Sequence, residues 1–181
     1  MGTTIRAATP SDAHEIARVH VDAWRAAYGG IVPHDYLANL SYAESQEMWR
    51  RVVGESGENA GCVFVAAEGG TLFGFSSGRV RTRFSQGLTE YRGVLETLYV
   101  LPPRQRAGAG RRLVGAVAEH LMERGVSSML LWVLEENKAA RRFYESLGGT
   151  LIGEGSLTLG GAELSEVAYG WKDLSVLRVN T

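Results

Sequence analysis

The stretch of sequence that decides the fold is LYVLPPRQRAGAGRRL, residues 98–113. A predicted β-strand over residues 94–101 runs into a proline turn, then into a loop rich in Gly and Ala, and then into an amphipathic helix over residues 108–124. This order presents the free backbone N–H groups of a helix N-terminus to a ligand. Gly108 and Gly110 let the backbone approach an anion closely. The stretch therefore predicts a site for a pyrophosphate group.

Two other phosphate-binding motifs are excluded by the residues around this loop. A P-loop requires Lys followed by Ser or Thr after its last glycine, where this chain has Arg111 and Arg112. The dinucleotide-binding fingerprint requires Gly or Ala three residues after Gly110, and Leu113 occupies that position. A tight loop that merely opens an amphipathic helix is the alternative that this stretch alone leaves open.

Hydrophobic periodicity and turn residues extend the prediction to the rest of the chain. The predicted strands cover residues 4–8, 62–67, 72–80, 94–101, 128–134, 150–159 and 163–171, and the predicted helices cover 9–28, 41–53, 108–124 and 137–147. Residues 31–40 are expected to be irregular, and 55–58 and 81–92 to be loops. The fold class is α/β (mixed α+β), in the order β-α-α-β-β-β-α-β-α-β-β. A mixed sheet of six to seven strands, flanked by about four helices, should contain one parallel pair, joined by a right-handed crossover.

Composition limits the function classes. The chain has 181 residues, which predicts one domain, and its net charge of -1 gives no positive field for nucleic acid or an anionic membrane. A single cysteine, Cys62, excludes an intrachain disulfide, and the four histidines lack metal-ligand spacing, so no metal is expected. The N-terminus lacks a signal peptide and no apolar run spans a bilayer. We expect a cytoplasmic protein.

Two motifs occur together in this chain. The first is Gln105-x-x-Gly108-x-Gly110 after a strand that ends Tyr99-Val100-x-Pro102, and the second is Asn137-x-x-Ala140-x-x-Phe143-Tyr144-Glu145-x-x-Gly148. Their order on strand, helix, strand and helix resembles the acyl-CoA-binding motifs of the GNAT superfamily of N-acetyltransferases. The resemblance is strong over 94–149 and looser over 1–93. It implies one N-acetyltransferase domain over 1–181, with 94–149 as the acyl-CoA-binding core and 9–53 as the acceptor-side helices.

The resemblance also implies how acetyl-CoA is held. The strand before the loop parts from the next parallel strand, and the pantetheine arm lies in the gap between them. The residues implied in cofactor binding are Tyr99, Val100, Leu101, Gln105, Arg106, Ala107, Gly108, Ala109, Gly110, Arg111, Asn137 and Tyr144. Asn137 also suits plain N-capping of the helix that follows it, and the two roles are compatible.

Two residues are the catalytic candidates, Glu96 and Tyr144. Strand alternation places Glu96 on an apolar face with Val94 and Leu98, where partial burial would make it a stronger base for the acceptor amine. A structural carboxylate paired with an arginine is the alternative. The resemblance implies that Tyr144 donates a proton to the leaving thiolate and that the Val100 N–H meets the oxyanion. The alternative for Tyr144 is a core aromatic residue.

The acceptor side carries several aromatic residues. The candidates for a wall around a small amine are Trp24, Tyr28, Pro33, His34 and Tyr36. Simple packing of Trp24 on Tyr28, one helical turn away, is the alternative. Trp132 and Glu135, near the end of the strand after the crossover, are further candidates, and Glu135 is a reserve base.

These residues favour an N-acetyltransferase that moves an acetyl group from acetyl-CoA to a primary amine, by direct attack in a ternary complex. A small-molecule acceptor is preferred. The alternatives are a non-catalytic acyl-CoA-binding or sensor domain and an acetyltransferase of protein or peptide N-termini. A domain that binds a different nucleotide would need a residue that reads a sugar or base at a strand end, and none is evident. A homodimer is possible, because the family commonly forms one.

Overall fold

A seven-stranded mixed sheet organises the computed structural model, which describes residues 2–56, 61–82 and 88–178. Its strands are β1 (Thr4–Ala7), β2 (Gly61–Glu68), β3 (Thr71–Val80), β4 (Gly93–Val100), β5 (Met129–Leu134), β6 (Thr150–Leu159) and β7 (Ala162–Trp171), in the spatial order β1-β2-β3-β4-β5-β7-β6. All neighbouring strands are antiparallel except β4 and β5, which are parallel. The prediction of one mixed α/β domain with a single parallel pair is confirmed.

Five α-helices flank the sheet in the described part of the chain: α1 (Ala13–Ala27), α2 (His34–Ala38), α3 (Tyr42–Gly54), α4 (Ala109–Glu123) and α5 (Lys138–Ser146). The sequence predicts four of them, and α2 lies in the segment expected to be irregular. Its five residues are too few to show a helical period. The loops predicted for 55–58 and 81–92 agree with the structure where it describes them, and 57–58 and 83–87 lie outside the described residues.

Helices cover both faces of the sheet. One face packs on α4, whose Leu113, Val117 and Leu121 are fully buried. Gly78 permits this close approach, because a Cβ atom there would lie 2.5 Å from Val117 Cγ1. The other face packs on α1 and α3, in an apolar cluster that includes Ile16. Packing on both faces holds the strands of the sheet in place, including β4 and β5.

The parallel strands β4 and β5 pair over only two positions. Gly93 lies opposite Met129 and Val94 lies opposite Leu130, and the two strands then part. Their carboxyl ends therefore border a gap that no strand fills in the described part of the chain. The loop that leads into α4 lies at the end of β4, beside this gap.

Candidate active site

The loop between β4 and α4 is built by local turns. A 3-10 turn over Pro102–Arg104 follows β4. Gln105 then donates its backbone N–H to the Pro102 carbonyl oxygen at 3.2 Å and its side-chain Nε2 to the Val100 carbonyl oxygen at 2.9 Å. Gly108, with φ of 82°, precedes the first residue of α4 in the left-handed conformation that favours glycine. The expected tight turn is therefore present, with Gln105 tied to the strand.

The backbone N–H groups of residues 106–111 are free of protein partners. No group in the described ranges accepts a hydrogen bond from them, and the first helical bond of α4 runs from Arg112 N–H to the Gly108 carbonyl at 3.1 Å. Nothing lies within 4 Å of the position that a Cβ atom would take at Gly108. Several convergent N–H donors around open space fit the oxygens of a pyrophosphate group.

The arginines of this loop divide into two groups. Arg104 pairs with Glu68, and Arg112 donates to the Thr3 carbonyl oxygen at 2.8 Å, so both are engaged by the fold itself. Arg106 and Arg111 are exposed and have no carboxylate partner among residues 2–56, 61–82 and 88–178. Arg106 and Arg111 are therefore the cations available to a phosphate.

The free edge of β4 faces the gap. Leu101 donates its N–H to the Phe73 carbonyl on β3 at 2.9 Å. Because successive residues of a strand direct their backbone groups to alternate edges, the Val100 N–H points into the gap. At the start of α4, Gly110 sits against the Phe143 ring of α5, which a Cβ atom at Gly110 would approach to 3.3 Å. The gap thus has a strand edge on one side and the N-terminal turn of α4 close by.

Tyr144 is a core aromatic residue, as the alternative for it expected, and its role as a proton donor stays a prediction. Its ring is buried in the core, with ring centroids 5.4 Å from Phe143 and 6.4 Å from both Tyr169 and Trp171. Its hydroxyl makes no hydrogen bond with any described residue. Burial raises the pKa of Tyr144 above its ordinary value, and the nearby Tyr28 hydroxyl adds to the rise. At neutral pH Tyr144 is therefore protonated, which is the form that a proton donor requires.

Asn137 is the N-cap of α5. Its Oδ1 accepts a hydrogen bond from Ala140 N–H at 3.2 Å, as the capping hypothesis expects. The same side chain lies beside the Tyr28 hydroxyl: burial raises the pKa of Tyr28, and hydrogen bonding with Tyr99 and Asn137 opposes the rise. Burial likewise raises the pKa of Tyr99 well above its ordinary value. These side chains form a hydroxyl-rich lining between α1, β4 and α5.

Aromatic rings gather on the acceptor side. The Trp24 ring centroid lies 4.8 Å from Tyr28, 6.1 Å from Tyr36 and 6.5 Å from Tyr99. The Trp24 Nε1 is buried and lies close to the Tyr99 side chain, without a well-aligned hydrogen bond to any described residue. Trp24, Tyr28 and Tyr36 pack together as an aromatic wall, so the packing alternative is present. Contact of this wall with a small amine stays a prediction.

Two residues expected on the acceptor side, His34 and Glu135, are exposed. The side chain of His34 is 93% exposed beside Asp35, because it opens the short helix α2 on its solvent side. Including His34 in the aromatic wall is wrong. Glu135 follows β5 and is also exposed, and its carbonyl oxygen accepts from Arg141 Nη1 at 3.1 Å. The role of Glu135 as a reserve base stays a prediction.

The prediction that Glu96 lies partly buried on an apolar face is wrong, because β4 contains a β-bulge. Leu95 lies opposite Gly78 and Thr97 lies opposite Ser77, so Glu96 is the extra residue and strand alternation breaks there. Glu96 is exposed rather than on a face with Leu98, and its Oε1 accepts from Arg79 Nε at 2.6 Å. The arginine pair that the sequence left as the alternative is therefore present.

Sequence reasoning missed His20, which separates the core from the aromatic wall. Trp49 Nε1 donates to His20 Nδ1 at 3.2 Å, and the imidazole packs 5.6 Å from the Tyr99 ring. Burial lowers the pKa of His20 to about 4, so it is neutral. His20 lines a cavity of about 650 Å³ between α1, α2, α3 and the turn of the last hairpin, with Tyr36 and Gly160. Its position one helical turn before Trp24 was the available signal.

The described residues contain no group of three or more His, Cys, Asp or Glu side chains that could hold a metal ion. Within the same residues, no helix is both long enough and apolar enough to cross a bilayer.

Parting strands, a loop with open backbone amides and a buried tyrosine are the features of this candidate site. The family model described as the acetyltransferase (GNAT) family matches residues 16–149. The chain belongs to this family and is an acyl-CoA-dependent acetyltransferase.

Individual relatives agree with this assignment. The chain is 41% identical over 177 residues to the uncharacterized N-acetyltransferase YuaI of Bacillus subtilis (strain 168), covering 97% of this chain and 96% of the relative. Its fold resembles the PaiA N-acetyltransferase of Thermoplasma acidophilum in complex with coenzyme A, with a TM-score of 0.74, 20% identity, and coverage of 92% of this chain and 98% of that one. It also resembles yncA of Salmonella typhimurium with its cofactor acetyl-CoA (TM-score 0.70, 21% identity, coverage 96% and 95%).

Proposed function

We propose that this chain transfers an acetyl group from acetyl-CoA to the primary amine of a small molecule, by direct attack in a ternary complex. The observation that carries the proposal is the row of unpartnered backbone N–H groups over residues 106–111, beside the gap between β4 and β5. Four of these six residues are exposed, and open N–H groups at the N-terminus of a helix, on the positive end of its dipole, suit a bound anion.

The residues assigned to the cosubstrate surround that gap. Arg106 and Arg111, with the amides of Ala107, Gly108, Ala109 and Gly110, would hold the diphosphate, and Gln105 would brace the loop on β4. The gap-facing backbone N–H of Val100, with the side chains of Tyr99 and Leu101 beside it, would hold the pantetheine arm together with Asn137 and Tyr144. When bound, acetyl-CoA supplies an activated acyl group as a thioester. Residues 94–149 would form the acyl-CoA-binding core, and 9–53 the acceptor-side helices.

Three groups of this chain would serve the transfer. The Val100 N–H can donate to an oxygen on which negative charge develops. Tyr144 can hold a proton for the departing thiolate. The incoming amine must lose a proton, because roughly one alkyl ammonium in a thousand is neutral at pH 7. Glu96, on the bulge of β4, is our candidate base, and its hydrogen bond from Arg79 fixes the position of its carboxylate.

A small acceptor is supported by the enclosure of the aromatic wall. Tyr36 packs against the turn between β6 and β7, where a Cβ atom at Gly160 would lie 2.8 Å from Tyr36 Cβ. This contact connects α2 to the last hairpin, which bounds the space beside Trp24. The cytoplasmic location and the homodimer stay predictions.

An amine panel tests the proposal. The chain is incubated with acetyl-CoA and with monoamines, diamines, amino sugars, amino acids and short peptides, and thiol release is followed. We expect turnover with at least one small amine and none with peptides. Turnover confined to peptides would replace the small acceptor by a peptide N-terminus. If none of the amines or peptides gives thiol release, transfer to an amine is refuted.

Tyr144→Phe tests the mechanism. We expect kcat to fall by about a hundredfold or more, with the Kd of acetyl-CoA unchanged within about twofold. Tyr169→Phe is the matched control, because it removes a hydroxyl from the same core that is hydrogen-bonded to Glu145 and Arg141 rather than free. Equal kcat values for Tyr144→Phe and the wild type would return Tyr144 to a purely structural role.

A further inference from the structure

An exposed tryptophan crosses the open face of the sheet beside the aromatic wall. Trp132 of β5 is 38% exposed, although its neighbours Leu131 and Val133 are buried. Its ring extends over the edge strand β6, because a Cβ atom at Gly155 would lie 3.1 Å from Trp132 Cζ3. A Cβ atom at Gly153 would lie 3.8 Å from the same ring. Two glycines thus form a floor on which the indole lies.

The same floor holds the carboxylate of Glu166, for which the described residues provide no hydrogen-bond or ion-pair partner. A Cβ atom at Gly155 would lie 3.4 Å from Glu166 Oε1 and 3.1 Å from the Trp132 ring. The carboxylate of β7 and the indole are therefore close to each other. Glu166 is half-buried and makes no hydrogen bond or ion pair with a residue in the described ranges. Burial raises the pKa of Glu166, and no neighbouring charge opposes the rise. A half-buried carboxylate of this kind is stabilised by a cation.

This face is continuous with the acceptor side. Glu166 lies opposite Leu134 in the β5–β7 ladder. Leu134 belongs to the apolar cluster with Val32 and Leu37, against which Trp24 packs. Glu166 therefore lies one strand beyond β5, which borders the gap, at a separation on the order of 5–10 Å. A molecule whose amine enters the gap can reach it.

We propose that Trp132 and Glu166 form a subsite for a second positive group of the acceptor, which makes the substrate class a diamine or another amine with a cationic tail. Glu166 supplies the negative charge, and the indole face of Trp132 attracts the same cation. The two glycines seat the indole beside Glu166, because a side chain at 155 would meet both groups. This assignment rests on the proposed transfer to a small amine.

The test compares two acceptors of equal length, cadaverine and pentylamine, of which only the first carries a second ammonium group. We expect Glu166→Gln to raise the KM of cadaverine by about three- to tenfold, with kcat and the KM of pentylamine unchanged within about twofold. Trp132→Leu should raise the KM of cadaverine by about two- to fivefold. Glu163→Gln is the control, because it neutralises a carboxylate of the same strand on the opposite face, where Glu163 accepts from Ser156.

Equal effects on both amines, or no effect on either, would overturn the subsite. Calorimetric titration of cadaverine into the CoA-loaded protein gives a readout without turnover. Cadaverine binding that is weakened by Glu166→Gln, in a protein that acetylates no amine, would support the subsite while refuting the proposed function. Acetylation of pentylamine with no preference for cadaverine in binding or KM would refute the subsite and leave the proposed function standing.

Discussion

Replacing Gly108 by alanine separates the role of the loop in binding from its role in folding. Gly108 has φ of 82°, and nothing lies within 4 Å of the added methyl group. An alanine in this left-handed conformation costs roughly 1–2 kcal/mol of folding free energy. Gly148, after α5, has the same φ of 82° and the same open surroundings. Gly148→Ala should therefore lower the thermal stability by the same amount, about 2–4 °C for each kcal/mol in a chain of this size.

The two variants should differ in their affinity for coenzyme A. The methyl group at Gly108 enters the open space that we assign to the diphosphate, and would displace at least one charge-assisted hydrogen bond of about 1.5–3 kcal/mol. The Kd of coenzyme A should rise by about ten- to a hundredfold for Gly108→Ala. It should change by less than about twofold for Gly148→Ala, since only the folding cost is shared.

Calorimetry and thermal shift measure both quantities. At a coenzyme A concentration of about 100 times the Kd, the wild type should gain about 2.7 kcal/mol of stability, and Gly108→Ala at the same concentration should gain about half of that or less. Equal Kd values for the two glycine variants would refute the assignment of the loop. A melting temperature that falls for Gly108→Ala alone would refute the estimate of the folding cost.

Three further predictions concern single groups. Glu96→Gln should lower kcat/KM by about a hundredfold or more, because the proton acceptor is removed; an unchanged kcat/KM would exclude Glu96 as the base. Burial raises the pKa of the Cys62 thiol to about 12, so a thiol reagent should modify the native protein on the order of a thousandfold more slowly than the denatured one, and rapid native labelling would contradict its buried position. The hydrogen bond from Arg6 holds the pKa of Asp12 at about 2, so its stabilisation is complete above about pH 4 and lost as the pH falls through 2. The unfolding free energies of Asp12→Asn and the wild type, measured in urea, should therefore converge at low pH, and a constant difference would contradict the pair.

The loop after β4 is predictable from the sequence because its conformation is local. Gly108, the proline turn and the first residues of α4 lie within ten positions of one another, and each favours the turn on its own. The N-caps follow the same logic: Ser41 accepts from Glu44 N–H at 3.3 Å, and Asn137 caps α5. Local chemistry of this kind needs no tertiary information, so these elements agree with the structure to within one or two residues.

The bulge at Glu96 shows where strand alternation stops being a guide. A period of two predicts a face only while each residue opposes one partner, and Leu95 to Thr97 oppose only Gly78 and Ser77. The register of β3 against β4 sets this mismatch, and no residue type in β4 announces it. The predicted burial of Glu96 is wrong for this reason. The alternative prediction, a carboxylate paired with an arginine, agrees with the structure, where Arg79 lies seventeen positions away in sequence.

The acceptor side is harder still, because its parts meet only through the order of the strands. Trp132 and Glu166 come together over Gly155 because β7 inserts between β5 and β6, an order that periodicity does not give. The amide loop, by contrast, belongs to β4 and α4 on the other side of the gap. A substitution at Glu166 therefore changes the acceptor face without touching the groups that face the diphosphate. This separation gives the fold a physical means of changing its acceptor while keeping its cosubstrate, and the paired cadaverine and coenzyme A measurements test it directly.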